Sequence, residues 1–190
     1  MNTLIIYPTS INERFVGEIV DALRDGHLII CPTDSRYAIC CDALNNRAIE
    51  RVCHLKDIDP RRHPLSILCS GISQASQYAR IDNVNFQLIR SLTPGPFTFI
   101  LPGSPRLPKI FKGRKEVGVR IPDNTIARAI ADALGNPLMT TSLPEDFTRE
   151  PEIHTKIDGG DTPEGDSTIV DCLDSSEPTV IRQGLGDFKY

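Results

Sequence analysis

The sequence predicts an α/β fold whose sheet mixes parallel and antiparallel strands and is flanked by helices. Three observations carry this reading. Short apolar runs of strand length are interleaved with amphipathic stretches at helical spacing, but without the strict alternation of a doubly wound protein. The runs near 97–121 and 168–181 are spaced like hairpins, which puts antiparallel pairs in the sheet. Neither Gly-x-Gly-x-x-Gly nor a Gly-x4-Gly-Lys-Ser loop occurs, so the two commonest phosphate cradles of parallel sheets are missing.

The elements follow in order. Leu4-Ile5-Ile6-Tyr7 reads as a first strand. Ser10 and Glu13 have the spacing of a capping box, and Ile11, Phe15, Val16, Ile19, Val20 and Leu23 then recur at helical intervals until Gly26 stops the helix. Leu28 to Cys31 is a buried strand that ends at Pro32 and opens into a polar hook, Thr33-Asp34-Ser35-Arg36-Tyr37. A strand at 37–40 and a helix capped by Asn45 or Asn46 and ending at Leu55-Lys56 come next. A charged loop, 57–64, leads to a strand at 65–69, a weak helix from Ser73 to about Ala79 and another ending near Leu92. Thr93-Pro94-Gly95-Pro96 breaks the chain before a strand at 97–101. Arg106, Lys109, Lys112, Arg114 and Lys115 make 104–116 a basic connection. A strand at 117–121 carries Arg120, Asn124 caps a helix that Gly135 ends, and 138–141 is a strand opening into Thr140-Thr141-Ser142. Residues 143–166, rich in Pro, Asp, Glu and Gly, read as a mobile loop, and 168–170 and 179–181 as closing strands.

Composition bounds the function. The 190 residues suit one domain, 1–190, with a well-buried core. A net charge of −4 gives no global attraction to nucleic acid, so any such site must be a local basic patch. No run approaches the roughly 20 apolar residues of a membrane span, and no secretory signal pattern opens the chain. The six cysteines include no Cys-x-x-Cys pair and mostly sit in apolar runs, which predicts reduced core thiols in a cytoplasmic protein. The four histidines are scattered, which argues against a tight metal site. No Gly-x-Ser-x-Gly elbow is present. No apolar surface stripe stands out, and a monomer or weak dimer is expected.

Several strands end in hydroxyls or arginines. Together they suit a small anionic ligand, an amino acid or a nucleoside triphosphate, since hydroxyls donate and accept and guanidinium holds carboxylate or phosphate bidentately. Read singly, each hook is a polar turn. Lys56 also suits a helix C-terminus, His63 before Pro64 also reads as a loop histidine, and Arg120 can point to solvent from an alternating strand.

Cys31-Pro32-Thr33-Asp34-Ser35-Arg36-Tyr37, Ala48-Ile49-Glu50-Arg51 leading to Lys56, and His63-Pro64-Leu65 come in that order. They are followed by Leu92-Thr93-Pro94-Gly95-Pro96-Phe97-Thr98, Val119-Arg120-Ile121-Pro122, Pro137-Leu138-Met139-Thr140-Thr141-Ser142, Ser167-Thr168-Ile169-Val170-Asp171 and Ile181-Arg182-Gln183-Gly184. In these segments the chain resembles the YrdC/YciO family, whose better-known members are threonylcarbamoyl-adenylate synthases, and is most similar to its YciO branch. The resemblance implies a twisted mixed sheet with an open concave face, the YrdC/RibB-like arrangement. It implies ATP, L-threonine and bicarbonate as substrates, with Mg²⁺ as the nucleotide's counter-ion and no prosthetic group. The product would be threonylcarbamoyl-AMP with pyrophosphate, for N6-threonylcarbamoyladenosine in tRNA. By position, Thr33, His63, Arg120 and Ser167 would face threonine, and Lys56, Ser142 and Arg182 would face ATP. No residue is assigned as catalytic.

Two motifs depart from the family pattern. Its Lys-x-Arg is here Lys56-Asp57-Ile58, with Arg61 or Arg62 the candidate replacement for the missing arginine, and its Ser-x-Asn is Ser142-Leu143-Pro144. Both fall on the triphosphate side, and Arg36 adds a charge to the first hook. Two alternatives follow: a threonine- or nucleotide-binding protein without catalysis, and a tRNA- or double-stranded-RNA-binding protein using Arg61, Arg62, Lys109, Lys112, Arg114 and Lys115.

Overall fold

The computed structural model describes residues 1–148 and 152–189. Among them ten strands form one open sheet. The strands are β1 (Asn2–Ile5), β2 (Ile29–Cys31), β3 (Ala38–Asp42), β4 (Ser66–Leu68), β5 (Phe97–Pro102), β6 (Glu116–Arg120), β7 (Leu138–Ser142), β8 (Thr155–Asp158), β9 (Thr168–Asp171) and β10 (Thr179–Arg182). Their spatial order is β1-β8-β2-β3-β7-β4-β6-β5-β9-β10. The sheet is mixed: β2–β3, β3–β7, β4–β7, β5–β6 and β9–β10 pair antiparallel, while β1–β8, β2–β8, β4–β6 and β5–β9 pair parallel.

Five α-helices flank it: α1 (Glu13–Arg24), α2 (Asn46–Leu55), α3 (Ile72–Tyr78), α4 (Asn83–Leu92) and α5 (Thr125–Leu134). The alternation of strand side chains decides which helix covers which face. Ile30, Ile39, Ile67, Phe97, Phe99, Val117, Val119 and Val170 point to the side packed by α2, α3 and α4. Ile29, Cys31, Ala38, Cys40, Leu68, Leu138 and Ile157 point to the other side, where α1 and α5 supply Val16, Ile19, Leu23, Ile126, Ile130 and Leu134. Each such aliphatic burial contributes about 1.5–3 kcal/mol against exposure. The second layer is short. It covers the half of the sheet around β8, β2 and β3 and leaves bare the same face over β6, β5 and β9, where the strands carry Gly118, Arg120 and Thr98, with Ser167 just before β9 and Ile169 as the apolar member of the lining.

Three sequence expectations change. The first strand is Asn2–Ile5 rather than 4–7, because its register is set by parallel pairing with β8. The Ser10–Glu13 capping box does not form: Asn12 caps α1, its side chain accepting from Arg14 N and Phe15 N, while Ser10 bridges back to Tyr7. The stretch 143–166 is not one mobile loop. Within it Ile153 and Ile157 are buried, and β8 inserts between β1 and β2, so backbone pairing outweighs the polar composition around it. Residues 149–151 of that stretch lie outside the described residues. The caps at Asn45 and Asn124 and the stops at Gly26 and Gly135 stand as read. Among the described residues no helix is long and apolar enough to cross a membrane.

All six cysteines are buried free thiols. Burial pushes Cys31, Cys40, Cys41, Cys53, Cys69 and Cys172 upward, Cys40 to about 11 and Cys172 to about 12. A raised folded value means the unfolded chain releases its proton first. The thiols' contribution is therefore intact below the unfolded value near 8.5 and is lost as pH climbs toward the folded one. Stability in urea is expected to fall from pH 8.5 upward, by about 1.4 kcal/mol per pH unit for each thiol inside its window. Cys40→Ala should make that fall shallower below pH 11. An unchanged slope in the variant would contradict this account.

Candidate functional site

The hook after β2 is built by its own side chains. Thr33 Oγ1 accepts from Ser35 N at 3.1 Å and donates to Arg36 O at 2.7 Å, closing a tight turn. Ser35 Oγ lies 3.1 Å from Thr33 Oγ1 and accepts from Arg120 Nη2 at 3.0 Å. The same Nη2 donates to Asp34 Oδ1 at 3.0 Å, and Asp34 Oδ2 accepts from Asp123 N at 2.8 Å. The side chains of Arg120 and Asp34 are only 9% and 7% exposed. Burial draws the Arg120 guanidinium downward while Asp34 opposes the shift. Its Nε has no hydrogen-bond partner. This buried pair welds the end of β6 to the hook.

Above it, on the bare face, lies a pocket of about 200 Å³. That is below the size of sites for drug-sized ligands and suits a small metabolite. Its lining is rich in hydroxyls: Ser35, Ser66, Thr98, Thr140, Thr141, Ser142 and Ser167. Thr98 Oγ1 and Ser167 Oγ are 2.8 Å apart. Gly118 keeps the floor open, since a Cβ there would stand 2.5 Å from Ser66 Oγ and 3.0 Å from Thr98 Cγ2. At the mouth Asp166 pairs with two arginines, Arg36 Nε at 3.4 Å and Arg182 Nη1 at 3.8 Å. Arg36 also meets Glu145 at 2.6 Å, and Arg182 Nη2 donates to Ser167 O at 2.8 Å. Tyr37, next in the chain but outside the lining, ties the hook to the segment after β8, donating to Gly160 O at 2.7 Å and accepting from Gly159 N at 3.2 Å.

Of the residues singled out in the sequence, His63, Arg120, Ser142, Ser167 and Arg182 line this one pocket. Thr33 does not: it is 2% exposed and holds the turn behind Ser35. Lys56 is the half-buried C-cap of α2 and is not in the lining. Burial pulls its ammonium downward, opposed by Asp146 and Asp166. Arg61 and Arg62 lie outside the pocket, and apolar Ile58 lines it. Arg62 pairs with Asp59 at 3.5 Å, and Arg114 donates to Arg62 O at 2.6 Å while pairing with Glu116. Lys109 and Lys112 sit on a 3₁₀ turn, Lys109–Gly113, and Lys112 and Lys115 border a separate groove with Leu107 and Phe111. Arg61, Arg62 and Arg114 thus stand together where the 57–64 loop meets the 3₁₀ turn, and none of the cations proposed for RNA lines the pocket.

Asp34, Asp166 and Thr98 were not singled out as site residues. The alternation Phe97-Thr98-Phe99 was the available signal for Thr98: a hydroxyl on an otherwise apolar strand. No local signal marks the partners of Asp34 or Asp166. Among the described residues no cluster of three or more His, Cys, Asp or Glu is arranged to hold a metal ion.

An open mixed sheet with a hydroxyl pocket on its uncovered half and arginines at the mouth presents hydrogen-bonding and cationic groups of the kind that hold a small polar ligand. A family model covering Sua5, YciO and YrdC, described as "Telomere recombination", matches residues 21–184, and the chain belongs to that family. It is 35% identical to YciO of Escherichia coli (strain K12) over 97% of this chain and 96% of that one. The crystal structure of E. coli YciO superposes with a TM-score of 0.90 at 33% identity, covering 98% of each chain. The threonylcarbamoyl-AMP synthase of Vibrio vulnificus (strain YJ016) is 29% identical over 66% of this chain and 69% of its own. The crystal structure of P. abyssi Sua5 complexed with L-threonine matches with a TM-score of 0.86 at 27% identity, over 97% of this chain and 58% of that chain.

Proposed function

We propose that this protein is a threonylcarbamoyl-AMP-synthase-like nucleotidyltransferase that binds L-threonine in the hydroxyl pocket and the phosphates of ATP at its mouth. The observation that carries this is the convergence of Arg120, His63, Thr98 and Ser167 on one small pocket of the bare face, in a fold shared with a Sua5 that was solved with L-threonine. In the reaction the threonine amine forms an N–C bond to the carbon of bicarbonate, whose C–OH bond breaks, and the hydroxyl leaves as water with a proton from the amine. A carbamate oxygen attacks the α-phosphorus of ATP, the bond to the β-phosphate oxygen breaks, and pyrophosphate leaves. The paired hydroxyls of Thr98 and Ser167 suit the polar end of threonine. Arg182 in the lining would stabilise the charge on departing pyrophosphate, with Lys56, outside the lining but near Asp166, adding positive charge at longer range. Mg²⁺ would enter with the phosphates as their counter-ion.

A second reading, threonine binding without adenylation, is favoured by one observation: Arg36 and Arg182 at the mouth already have carboxylate partners in Asp166 and Glu145. Pyrophosphate release from ATP separates the two. Release that requires both threonine and bicarbonate is the expected result. Thermal stabilisation by threonine alone, with no release under any combination, selects the second reading. No response to threonine removes both.

A further inference from the structure

We infer that Asp166 is an internal counter-anion that sets the affinity of this pocket for phosphate groups, with Arg36 and Arg182 as the cations it restrains. The inference rests on the reading that phosphates bind at the mouth. Three segments far apart in the chain meet there. Arg36 comes from the hook, Arg182 from the end of β10, and Asp166 stands just before β9 with one carboxylate oxygen toward each guanidinium. Glu145 reaches Arg36 from the opposite rim. Two arginines face two carboxylates in this cluster, Lys56 near Asp146 and Asp166 adds a pair of opposite sign, and Glu164 adds a negative charge near Arg36, while deeper in the pocket Arg120 is neutralised by Asp34.

A mouth with no net positive charge suits a zwitterion and resists a polyanion, because an incoming phosphate must displace Asp166 before it can take both guanidinium groups. Asp166 thus acts as a specificity determinant. It occupies the position where a ligand's phosphate would bridge Arg36 and Arg182, and its charge sets the cost of bridging them. The three side chains are between 36% and 44% exposed, so these ion pairs contribute little to folding, and the charge can be removed without unfolding the chain.

The test is calorimetric titration of the full chain with inorganic pyrophosphate in EDTA, so that no metal bridges the ligand to a carboxylate. Asp166→Asn is expected to bind pyrophosphate roughly five- to tenfold more tightly than wild type at low salt, the scale of releasing two exposed pairs. The gain should shrink in 0.5 M NaCl as screening rises. It should vanish when Arg36→Gln is added. Glu18→Gln, which removes a carboxylate paired with Arg14 on α1, controls for net charge and should show no gain. Equal or weaker binding by Asp166→Asn, or an equal gain in Glu18→Gln, overturns the inference. If the wild type releases no pyrophosphate from ATP while Asp166→Asn still gains affinity through Arg36, the catalytic reading falls and the counter-anion role stands.

Discussion

Asp34→Ala is expected to destabilise the protein by about 3–5 kcal/mol, the cost of stranding a buried charge by removing its partner. For a chain of this size that lowers the melting temperature by on the order of 10 °C. The carboxylate serves two donors, the buried Arg120 Nη2 and Asp123 N at the surface, and it is the Arg120 charge that is stranded away from water once the carboxylate is gone. Arg120 would keep only Ser35 Oγ, and its Nε is unpartnered to begin with. The double variant Asp34→Ala/Arg120→Met is expected to recover a large part of the loss, since removing both charges of a buried pair is far cheaper than removing one. Chemical denaturation of the two single variants and the double provides the coupling energy. A single Asp34→Ala within 1 kcal/mol of wild type would show that solvent reaches the pair and that the weld between hook and β6 is weak.

Gly184→Ala is expected to cost about 1–3 kcal/mol, the usual penalty of overpacking, and to weaken threonine binding about tenfold, the equivalent of roughly one buried hydrogen bond. Residues 183–186 fold back over the start of β9. Gly184 N donates to Thr168 Oγ1 at 2.9 Å, and Leu185 N donates to Asp166 O at 2.9 Å. A Cβ on Gly184 would collide with Asp166 O and lie 2.6 Å from both Ser167 C and Ser167 O. All three are backbone atoms, so no rotamer change relieves the clash, and the wall carrying Ser167 must move away from Thr98. Gly17→Ala, on α1 with nothing near its Cβ, is the control and should be neutral or stabilising. Thermal shift and threonine titration of both variants check this. Unchanged threonine affinity in a folded Gly184→Ala would mean that Ser167 is not part of the binding wall.

The strands that carry the site are legible where their alternation is. In Val117-Gly118-Val119-Arg120 the valines point to the α2–α4 side and the glycine and arginine to the other, a pattern any antiparallel or parallel neighbour must respect. Helix caps at Asn45 and Asn124 are legible because the cap is a contact between residues three apart. The cap of α1 is ambiguous for a reason of the same kind: Ser10 and Asn12 both offer a capping side chain within two residues, and the bridge that engages Ser10 is set by the neighbouring turn. β8 is hidden in the sequence because Thr155–Asp158 is short, and Ile153, Thr155 and Ile157 show their alternation inside a stretch dominated by Pro, Asp and Glu.

The residue order therefore specified the local units: which runs become strands and helices, where most of the helices start and stop, and which face of each strand is apolar. These follow from side-chain period and backbone propensity over fewer than about a dozen residues. The pairing of Arg120 with Asp34, 86 positions away, was beyond its reach, as was the meeting of Arg36 with Glu145, 109 positions away. Such partners depend on strand order and register, and a one-residue slip of β6 would turn Arg120 to the helix-covered face. Folding likewise decided that Thr33 braces the hook from behind, and that Asp166, unremarkable in a polar loop, stands between two arginines at the mouth. An ion pair is a relation between positions in space, and local periodicity carries no information about it.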